Sequence, residues 1–243
     1  MKREEQDAAA VPESCPAVIA HRGASTLAPE NTIAAFEAAR ALGCSGVELD
    51  VHLTADGELA VTHDHWLDRI AGVHRRVEEM TLKEIRAIDA GSFFDAARTG
   101  LARTGEATQS FAGEGIPTLD EALETVGDGC FVDLELKLDT LFPRPLAEAA
   151  ARCLARHARG NAIVSSFNPL ALLAYRAHGP HATAAIYCPY RSVPFFMRHR
   201  ECLRLSLAGI KKPAREHVLR SARFETGRRP VIAWTVDSMD EAR

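Results

Sequence analysis

The sequence predicts an α/β protein whose core is a parallel sheet with helical crossovers. Short apolar runs typical of strands alternate along the chain with the longer amphipathic patterns of helices, which is the order found in parallel sheets. The 243 residues are enough for one α/β barrel or for two small domains. The predicted strands cover 17–20, 46–54, 131–138, 162–167, 182–188, 207–211 and 230–236. The predicted helices run from the Asn31-Thr32 cap to residue 42 and over 81–88, 119–126, 146–159 and 170–177.

Two segments depart from this alternation. Asp56-Gly57 lies between two strand-like runs and is a strong signal for a β-hairpin. The stretch 65–115 is too long for an ordinary barrel loop and carries the helical pattern at 81–88. We therefore predict one domain over 17–243, in which 65–115 is an inserted segment on the active-site side of the sheet.

Composition and charge are those of a soluble globular protein. Apolar residues make up 47% and charged residues 26%, and the net charge of −4 gives no support for a nucleic-acid-binding face. Residues 1–16 are predicted to be a disordered leader without the apolar run of a signal peptide. No later segment approaches the ~20 apolar residues of a membrane span. We expect a cytoplasmic protein with no integral membrane association, and the oligomeric state stays open.

The cysteines and the basic stretches indicate no chemistry by their pattern. The six cysteines are scattered without a close pair, so we expect reduced, mostly buried thiols rather than a zinc or redox site. The basic stretches 198–204 and 211–215 are predicted to be solvated helix faces.

The predicted hairpin brings together acidic side chains and a histidine. With a two-residue turn, Asp50 would lie opposite His63, and Glu48 opposite His65. Side chains two apart on a strand share a face, so the two carboxylates would point the same way. Acidic groups on an inner face are costly to bury unless they bind something positive. The alternative is an exposed antiparallel edge whose polar residues have no special role.

The run 131–137 repeats this alternation of apolar and charged residues. Asp133, Glu135 and Lys137 alternate with apolar residues, so we predict that these three side chains face the barrel interior. The alternative for Glu135 and Lys137 is an internal salt bridge. Such a bridge alone would stabilise the fold little, because desolvation offsets much of the attraction. A site for a metal and a phosphate would use both signs of charge.

His21-Arg22-Gly23 ends the first predicted strand, and barrel active sites lie at the C-terminal ends of strands. A lone histidine there is more often packing than catalysis. Because Arg and Gly follow at once and His63 occurs elsewhere in a comparable setting, His21 is a candidate catalytic residue. His52 and His65 are interpreted as possible bystanders.

The order of these motifs resembles the glycerophosphodiester phosphodiesterase family. Each motif alone is weak, but six of them in the right order and spacing are highly specific, and the resemblance covers residue 17 to the last residue. The motifs are His21-Arg22-Gly23, Pro29-Glu30-Asn31-Thr32, Glu48-Leu49-Asp50, His63-Asp64, Glu135-Leu136-Lys137 and Trp234-Thr235-Val236.

The resemblance implies a TIM (β/α)8-type barrel with a small insertion after strand two. It also implies metal-dependent hydrolysis of glycerophosphodiesters to sn-glycerol 3-phosphate and an alcohol. In the family a neighbouring glycerol hydroxyl is thought to attack first and to give a cyclic phosphate that water opens. The implied site holds a divalent cation on Glu48, Asp50 and Glu135, uses His21 and His63 as the acid–base pair, and forms its substrate pocket from Arg22, Lys137 and Trp234.

The chemistry of these residue types agrees with the implied roles. Three carboxylates without a soft ligand select Mg²⁺ or Ca²⁺ over zinc, without deciding between the two. Arg22 and Lys137 would neutralise charge that builds on the phosphate in the transition state. Two histidines near pKa 6.5 can exchange protons around neutral pH, each contributing ~10²–10⁴-fold. Glu30-Asn31 is interpreted as mainly structural.

The count of strands departs from the family pattern. Seven barrel strands are found, and the sequence stops about one turn into the helix that precedes an eighth strand in family members. We expect a chain truncated before strand eight, with two unpaired sheet edges. Such a chain should bind metal through the hairpin and hydrolyse substrate poorly.

Two alternatives stay open beside glycerophosphodiester hydrolysis. A lysophospholipase D-type enzyme would need an apolar rim, which Phe93, Phe94 and the residues 195–197 could supply. The alternative for both aromatic clusters is ordinary packing. A truncated non-catalytic metal-binding barrel is favoured by the missing tail alone. The sequence does not fix the head group of the substrate.

Overall fold

The computed structural model describes residues 17–94, 110–138, 140, 142–157, 160–190, 194, 201–219 and 229–238. The predicted leader, residues 1–16, lies outside the described residues, and so does the apolar segment 195–197.

A parallel sheet forms the centre of the molecule. Its strands lie side by side in the order β1 (Ile19–His21), β2 (Gly46–Leu53), β4 (Phe131–Leu136), β5 (Ala162–Ser166), β6 (Ala182–Tyr187) and β7 (Ile210–Pro213). The short β3 (Leu59–Val61) pairs antiparallel with β2 and lies off this path. Single parallel bridges from Lys211 to Val231 and from Ala214 to Trp234 continue the sheet beyond β7. The predicted α/β class with a parallel sheet is confirmed.

The helices that link parallel strands cover the outer face of the sheet, and two short helices belong to the inserted segment 65–115. The helices are α1 (Ile33–Ala41), α2 (Asp68–Ala71), α3 (Leu82–Ile85), α4 (Leu119–Val126), α5 (Arg144–Arg156), α6 (Pro169–His178), α7 (Glu201–Ser206) and α8 (Arg215–Leu219), with a 3₁₀ turn at Val77–Glu79. Thr118 caps α4 and Thr81 caps α3, each with a glutamate three residues later that closes a capping box. α3 covers Leu82–Ile85 and is thus shorter than the helix predicted over 81–88.

The sheet curls so that its two ends share one inner cluster. Ile19 from β1 packs against the cluster that contains Phe131, Ile163 and Ile210. Ile232, from the segment 231–234 that is bridged to β7, packs against the same cluster. A flat sheet would keep such residues apart, so this contact is typical of a barrel. A larger apolar cluster lies on the outer side, between the strands and the helices, and includes Phe36, Leu49, Leu134, Leu123 and Leu154.

The described parts of 65–115 form a small apolar cluster of their own. Leu67, Val77, Met80 and Ile85 are fully or almost fully buried there, and Ala60 of β3 joins them. This cluster fixes the segment against the β2–β3 hairpin.

The hairpin register differs from the prediction by one residue. Val51 pairs with Val61 and Leu53 with Leu59, because the loop has three residues rather than two. Gly57 closes that loop with a φ of +87°, a left-handed conformation that suits a glycine after a turn. The predicted pairings of Asp50 with His63 and of Glu48 with His65 are therefore wrong. Asp50 lies instead beside Thr62. The backbone N–H of Thr62 donates to the backbone carbonyl of Asp50 at 3.0 Å.

Candidate active site

Register places the candidate residues in neighbouring rows at the C-terminal half of the sheet. His21 is the last residue of β1 and pairs with Glu48 on β2. Asp50, two residues further along β2, pairs with Glu135 on β4. Because alternate residues of a strand share a face, all four side chains point to the inner side of the curled sheet.

The carboxylates of Glu48, Asp50 and Glu135 converge. Each offers an oxygen atom within 4.8 Å of the others, and all three side chains are buried. Burial and the adjacent Asp50 raise the pKa of Glu48 well above its ordinary value. Burial acts the same way on Asp50, but neighbouring cations, with Lys137 first and His63 second, outweigh it and lower the pKa of Asp50. Within one cluster, therefore, ionisation of Glu48 is disfavoured and ionisation of Asp50 is favoured.

Two cationic side chains lie directly beside these carboxylates. Lys137 Nζ lies 2.6 Å from Glu135 and 3.0 Å from Asp50. Arg22 Nε lies 3.4 Å from Asp50, and the Arg22 backbone N–H donates to Glu48 at 3.0 Å. Acidic and basic side chains thus lie together on the inner face, as the alternation of apolar and charged residues in 131–137 predicted.

The turn after β1 explains the glycine of the His-Arg-Gly motif. Arg22 and Gly23 both have left-handed backbone conformations, with φ of +60° and +77°. A Cβ atom on Gly23 would lie 2.7 Å from the backbone of Ala35 in α1, so the turn packs against that helix too closely for any larger residue. This tight turn is what directs the Arg22 side chain back toward Asp50.

Glu30 and Asn31 contact the site more directly than the sequence indicated. Asn31 Nδ2 donates to Asp50 Oδ2 at 2.8 Å, and its Oδ1 accepts from the Asp50 backbone at 3.3 Å. Thr32, rather than Asn31, caps α1. Glu30 accepts from Arg22 at 2.9 Å. These residues hold the side chains of the candidate site in place, in addition to bracing the loop.

The two candidate histidines have different surroundings. His21 Nε2 lies 4.0 Å from Glu48, and burial together with the charge of Arg22 lowers the pKa of His21 to about 4. His63 Nδ1 lies 2.6 Å from the Asp64 carboxylate, which can only accept, so Nδ1 donates this hydrogen bond. Nε2 is the ring nitrogen outside this contact. Arg69 of α2 donates to Asp64 at 2.6 Å. It also donates to Glu30 at 2.6 and 2.8 Å.

Trp234 lies at the end of the segment 231–234 that is bridged to β7. Its Nε1 donates to the Lys212 carbonyl at 3.0 Å, and its ring packs edge-on against Phe167 with centroids 5.5 Å apart. The side chain is half-buried. In place of the predicted strand over 230–236 the structure has two isolated bridges, and the second of them puts Trp234 beside the C-terminal end of β7, a place compatible with the predicted role in the pocket wall.

Lys212 is the charged residue that sequence reasoning missed. It lies on β7 with 3% exposure, so the prediction of a solvated helix face over 211–215 is wrong at this position. Its Nζ lies 2.8 Å from Asp133, 3.0 Å from Ser165 and 3.9 Å from Glu48. Burial opposes the charge, but Asp133 and Glu48 outweigh it and raise the pKa of Lys212. Lys212 lies two residues after the apolar Ile210 on the same strand, and this period of two was the signal in the sequence for an inward-facing lysine.

The chemistry of the carboxylate cluster fits a divalent cation. Among the described residues, nothing donates a hydrogen bond to Glu48 Oε1, although the atom is buried. A buried carboxylate oxygen without a donor is costly, and a cation would satisfy it. Three carboxylates without sulfur or imidazole ligands favour a hard ion.

Comparison with known proteins agrees with this geometry. Residues 21–243 match the Glycerophosphoryl diester phosphodiesterase family. The chain belongs to this family. A glycerophosphodiester phosphodiesterase of Caldanaerobacter subterraneus subsp. tengcongensis is 40% identical over 68% of the chain and 63% of the relative. One from Bacillus subtilis is 34% identical over 64% of the chain and 53% of the relative. The aligned parts thus span less than two thirds of either relative.

Solved structures of glycerophosphodiester phosphodiesterases share the fold. An Oleispira antarctica phosphodiesterase, solved in complex with the product sn-glycerol-3-phosphate, superposes with a TM-score of 0.76 at 28% identity, covering 93% of this chain and 87% of that one. The enzyme from Agrobacterium tumefaciens superposes with a TM-score of 0.68 at 26% identity, covering 93% and 89%. The family fold predicted from the motifs is confirmed. No described helix combines the length and the apolar character that a bilayer span requires.

Replacing Lys212 should reveal how strongly the buried charges depend on it. We expect Lys212→Met to lower the free energy of unfolding by about 3–5 kcal/mol, because the buried Asp133 loses its cationic partner and keeps the hydrogen bond from Ser165. The double variant Lys212→Met/Asp133→Leu should recover most of the loss. Urea unfolding followed by circular dichroism measures both. An unchanged stability in the single variant would contradict the pairing.

Proposed function

We propose that this chain hydrolyses glycerophosphodiesters to sn-glycerol 3-phosphate and an alcohol, with a divalent cation held by Glu48, Asp50 and Glu135. The observation that carries the proposal is the convergence of these buried carboxylates beside Arg22 and Lys137. Family membership supports the reaction type, and the Oleispira relative was solved with sn-glycerol-3-phosphate as its product.

Charge balance favours a cation and a phosphate together. With all groups ionised, the three carboxylates exceed the two cationic side chains by one negative charge. A divalent ion reverses that sign, and the site would then attract a singly charged phosphodiester. When bound, such an ion polarises the phosphoryl oxygens and stabilises the negative charge of the transition state. The all-oxygen ligand set supports Mg²⁺ or Ca²⁺.

Arg22 and Lys137 would hold the phosphate. In the structure both side chains are paired with Asp50, and each has donors beyond those pairs. A guanidinium and an ammonium on the same side of the cation would orient the phosphodiester and neutralise its developing charge. Glu30 and Asn31 would keep Arg22 and Asp50 in position by the contacts described above.

The histidines would divide the proton transfers. His21, with its lowered pKa, is neutral at pH 7 and suits the role of general base toward the attacking hydroxyl. His63, oriented by Asp64 through Nδ1, would deliver a proton from Nε2 to the leaving alkoxide. The attacking hydroxyl would be that of the neighbouring glycerol carbon or of water.

A lipid substrate is the second candidate. Phe93 of the inserted segment is 55% exposed, and an exposed aromatic ring offers an apolar contact to an acyl chain. Phe94, by contrast, packs edge-on against Phe111. Comparing turnover of glycerophosphocholine and lysophosphatidylcholine by the wild-type chain and by Phe93→Ser separates the two. We expect the glycerol substrate to be preferred and insensitive to the substitution, and a selective loss with lysophosphatidylcholine would favour the lipid.

Removal of either histidine should abolish most of the hydrolysis. We expect His21→Ala and His63→Ala each to lower kcat for glycerophosphocholine by ~10²–10⁴-fold, because each removes a proton-transfer group. Release of sn-glycerol 3-phosphate is the readout. His74→Ala is the matched control, since this exposed histidine of the inserted segment pairs with Asp68 and stacks on the Trp66 ring, and neither residue belongs to the proposed site. Turnover that survives both substitutions would remove the histidine pair from the mechanism, whereas a wild-type chain that releases no sn-glycerol 3-phosphate would favour the non-catalytic barrel.

Divalent ions should stabilise the chain as well as activate it. Mg²⁺ or Ca²⁺ at 100 times its dissociation constant should raise the free energy of unfolding by about 2.7 kcal/mol, because the ion binds only the folded carboxylate cluster. Glu135→Gln should reduce this gain, and Glu124→Gln, on the exposed side of α4, should not. Thermal unfolding with and without EDTA measures the effect. Equal gains in both variants would place the ion elsewhere.

A further inference from the structure

A second group of potential metal ligands lies outside the carboxylate cluster. His52 near the end of β2, His65 after β3 and Glu78 in the 3₁₀ turn each offer a ligand atom within 4.8 Å of the other two. His52 Nδ1 lies 2.8 Å from Glu78 Oε1, and His65 Nδ1 contacts the same oxygen. His52 shares the inward face of β2 with Glu48 and Asp50 but lies beyond them, under the inserted segment.

The orientation of the His52 ring points Nδ1 at the Glu78 carboxylate. His52 Nε2 lies 3.2 Å from the backbone carbonyl of His63, which can only accept, so Nε2 carries a proton. In the neutral ring the other nitrogen, Nδ1, then presents its lone pair to a carboxylate oxygen that also has only lone pairs. Two such atoms at this distance require a positive centre between them. A proton or a metal ion can fill that place.

We propose that His52, His65 and Glu78 form a second cation site, selective for Zn²⁺ or a similar first-row transition ion. Two imidazoles and one carboxylate are a ligand set that zinc accepts, in contrast to the all-oxygen set of the first site. The ligand atoms need to approach by small side-chain shifts, since ligands of one zinc ion lie roughly 2.0–2.2 Å from it. His65 and Glu78 are partly exposed, which gives the ion a path of entry.

The surroundings of the three residues supply the outer contacts that metal ligands usually have. Ligating histidines commonly donate their other N–H to a backbone carbonyl, as His52 does to His63. Arg76 donates to the second oxygen of Glu78 at 3.3 Å, which leaves Oε1 for the ion.

A comparable cluster elsewhere lacks these properties. Asp120, Cys153 and His157 also lie within ligand distance of one another. Both oxygens of Asp120 accept from Arg156, at 2.9 and 2.7 Å, and burial with the neighbouring Asp120 raises the pKa of the Cys153 thiol to about 12. A thiol held in its protonated form is a poor zinc ligand. The His52 cluster is therefore the stronger candidate.

Zinc binding in the presence of saturating Mg²⁺ tests the proposal. Mg²⁺ fills the carboxylate cluster, and dialysis against micromolar Zn²⁺ followed by mass spectrometric metal analysis counts the remaining site. We expect one Zn²⁺ per chain, an increased melting temperature, and Co²⁺ absorption bands typical of mixed nitrogen and oxygen ligands. His65→Asn and Glu78→Gln, both at partly exposed positions, should each weaken binding by at least about tenfold.

Matched variants locate the ion and separate this proposal from the proposed function. His74→Asn and Asp120→Asn should bind Zn²⁺ as the wild type does, and so should Glu135→Gln, which alters only the first site. Zinc uptake that is unchanged in both His65→Asn and Glu78→Gln would overturn the proposal. So would loss of uptake in Glu135→Gln, which would assign the zinc to the carboxylate cluster. Hydrolytic activity is not part of the readout.

Discussion

Four carboxylates point into the curled sheet from two neighbouring strands, and their charge has to be balanced within the molecule. Asp133 is balanced by Lys212 at the lower level, next to the apolar inner cluster. Glu135 and Asp50 share Lys137 at the upper level, toward the open end of the strands. Glu48 lies level with Asp133 in the register of the two strands, but it is the least well paired of the four. The sheet thus fixes one closed ion pair and leaves one incomplete, and the incomplete one is where a ligand ion fits.

The period of two along the strands made much of this site predictable. On β4 the charged residues alternate with apolar ones, and the structure indeed brings Glu135 and Lys137 to the inner face beside Asp50. Lys212 could not be predicted in the same way. It follows Lys211 in a basic stretch, and a lysine in such a stretch is usually solvated, so its burial depends on pairing with Asp133, which is 79 residues away in the chain.

Local rules failed where loop length and distant contacts decide the geometry. Asp56-Gly57 predicted the hairpin correctly, but a third loop residue shifted the register by one and moved His65 away from Glu48. His65 instead meets His52 and Glu78, and Glu78 belongs to the inserted segment. Nothing in the sequence around His52 indicates that partner, because the contact requires the fold of a segment that has its own small core.

Arg69 joins the inserted segment to two different parts of the site. One end of its guanidinium holds Asp64, the partner of His63, and the other holds Glu30, the partner of Arg22. A displacement of α2 would therefore reach both the proposed proton donor, His63, and the proposed phosphate ligand, Arg22. Under these proposed roles, changes in this peripheral helix should alter turnover and substrate affinity together, and the inserted segment would couple two functions that separate elements of the barrel provide.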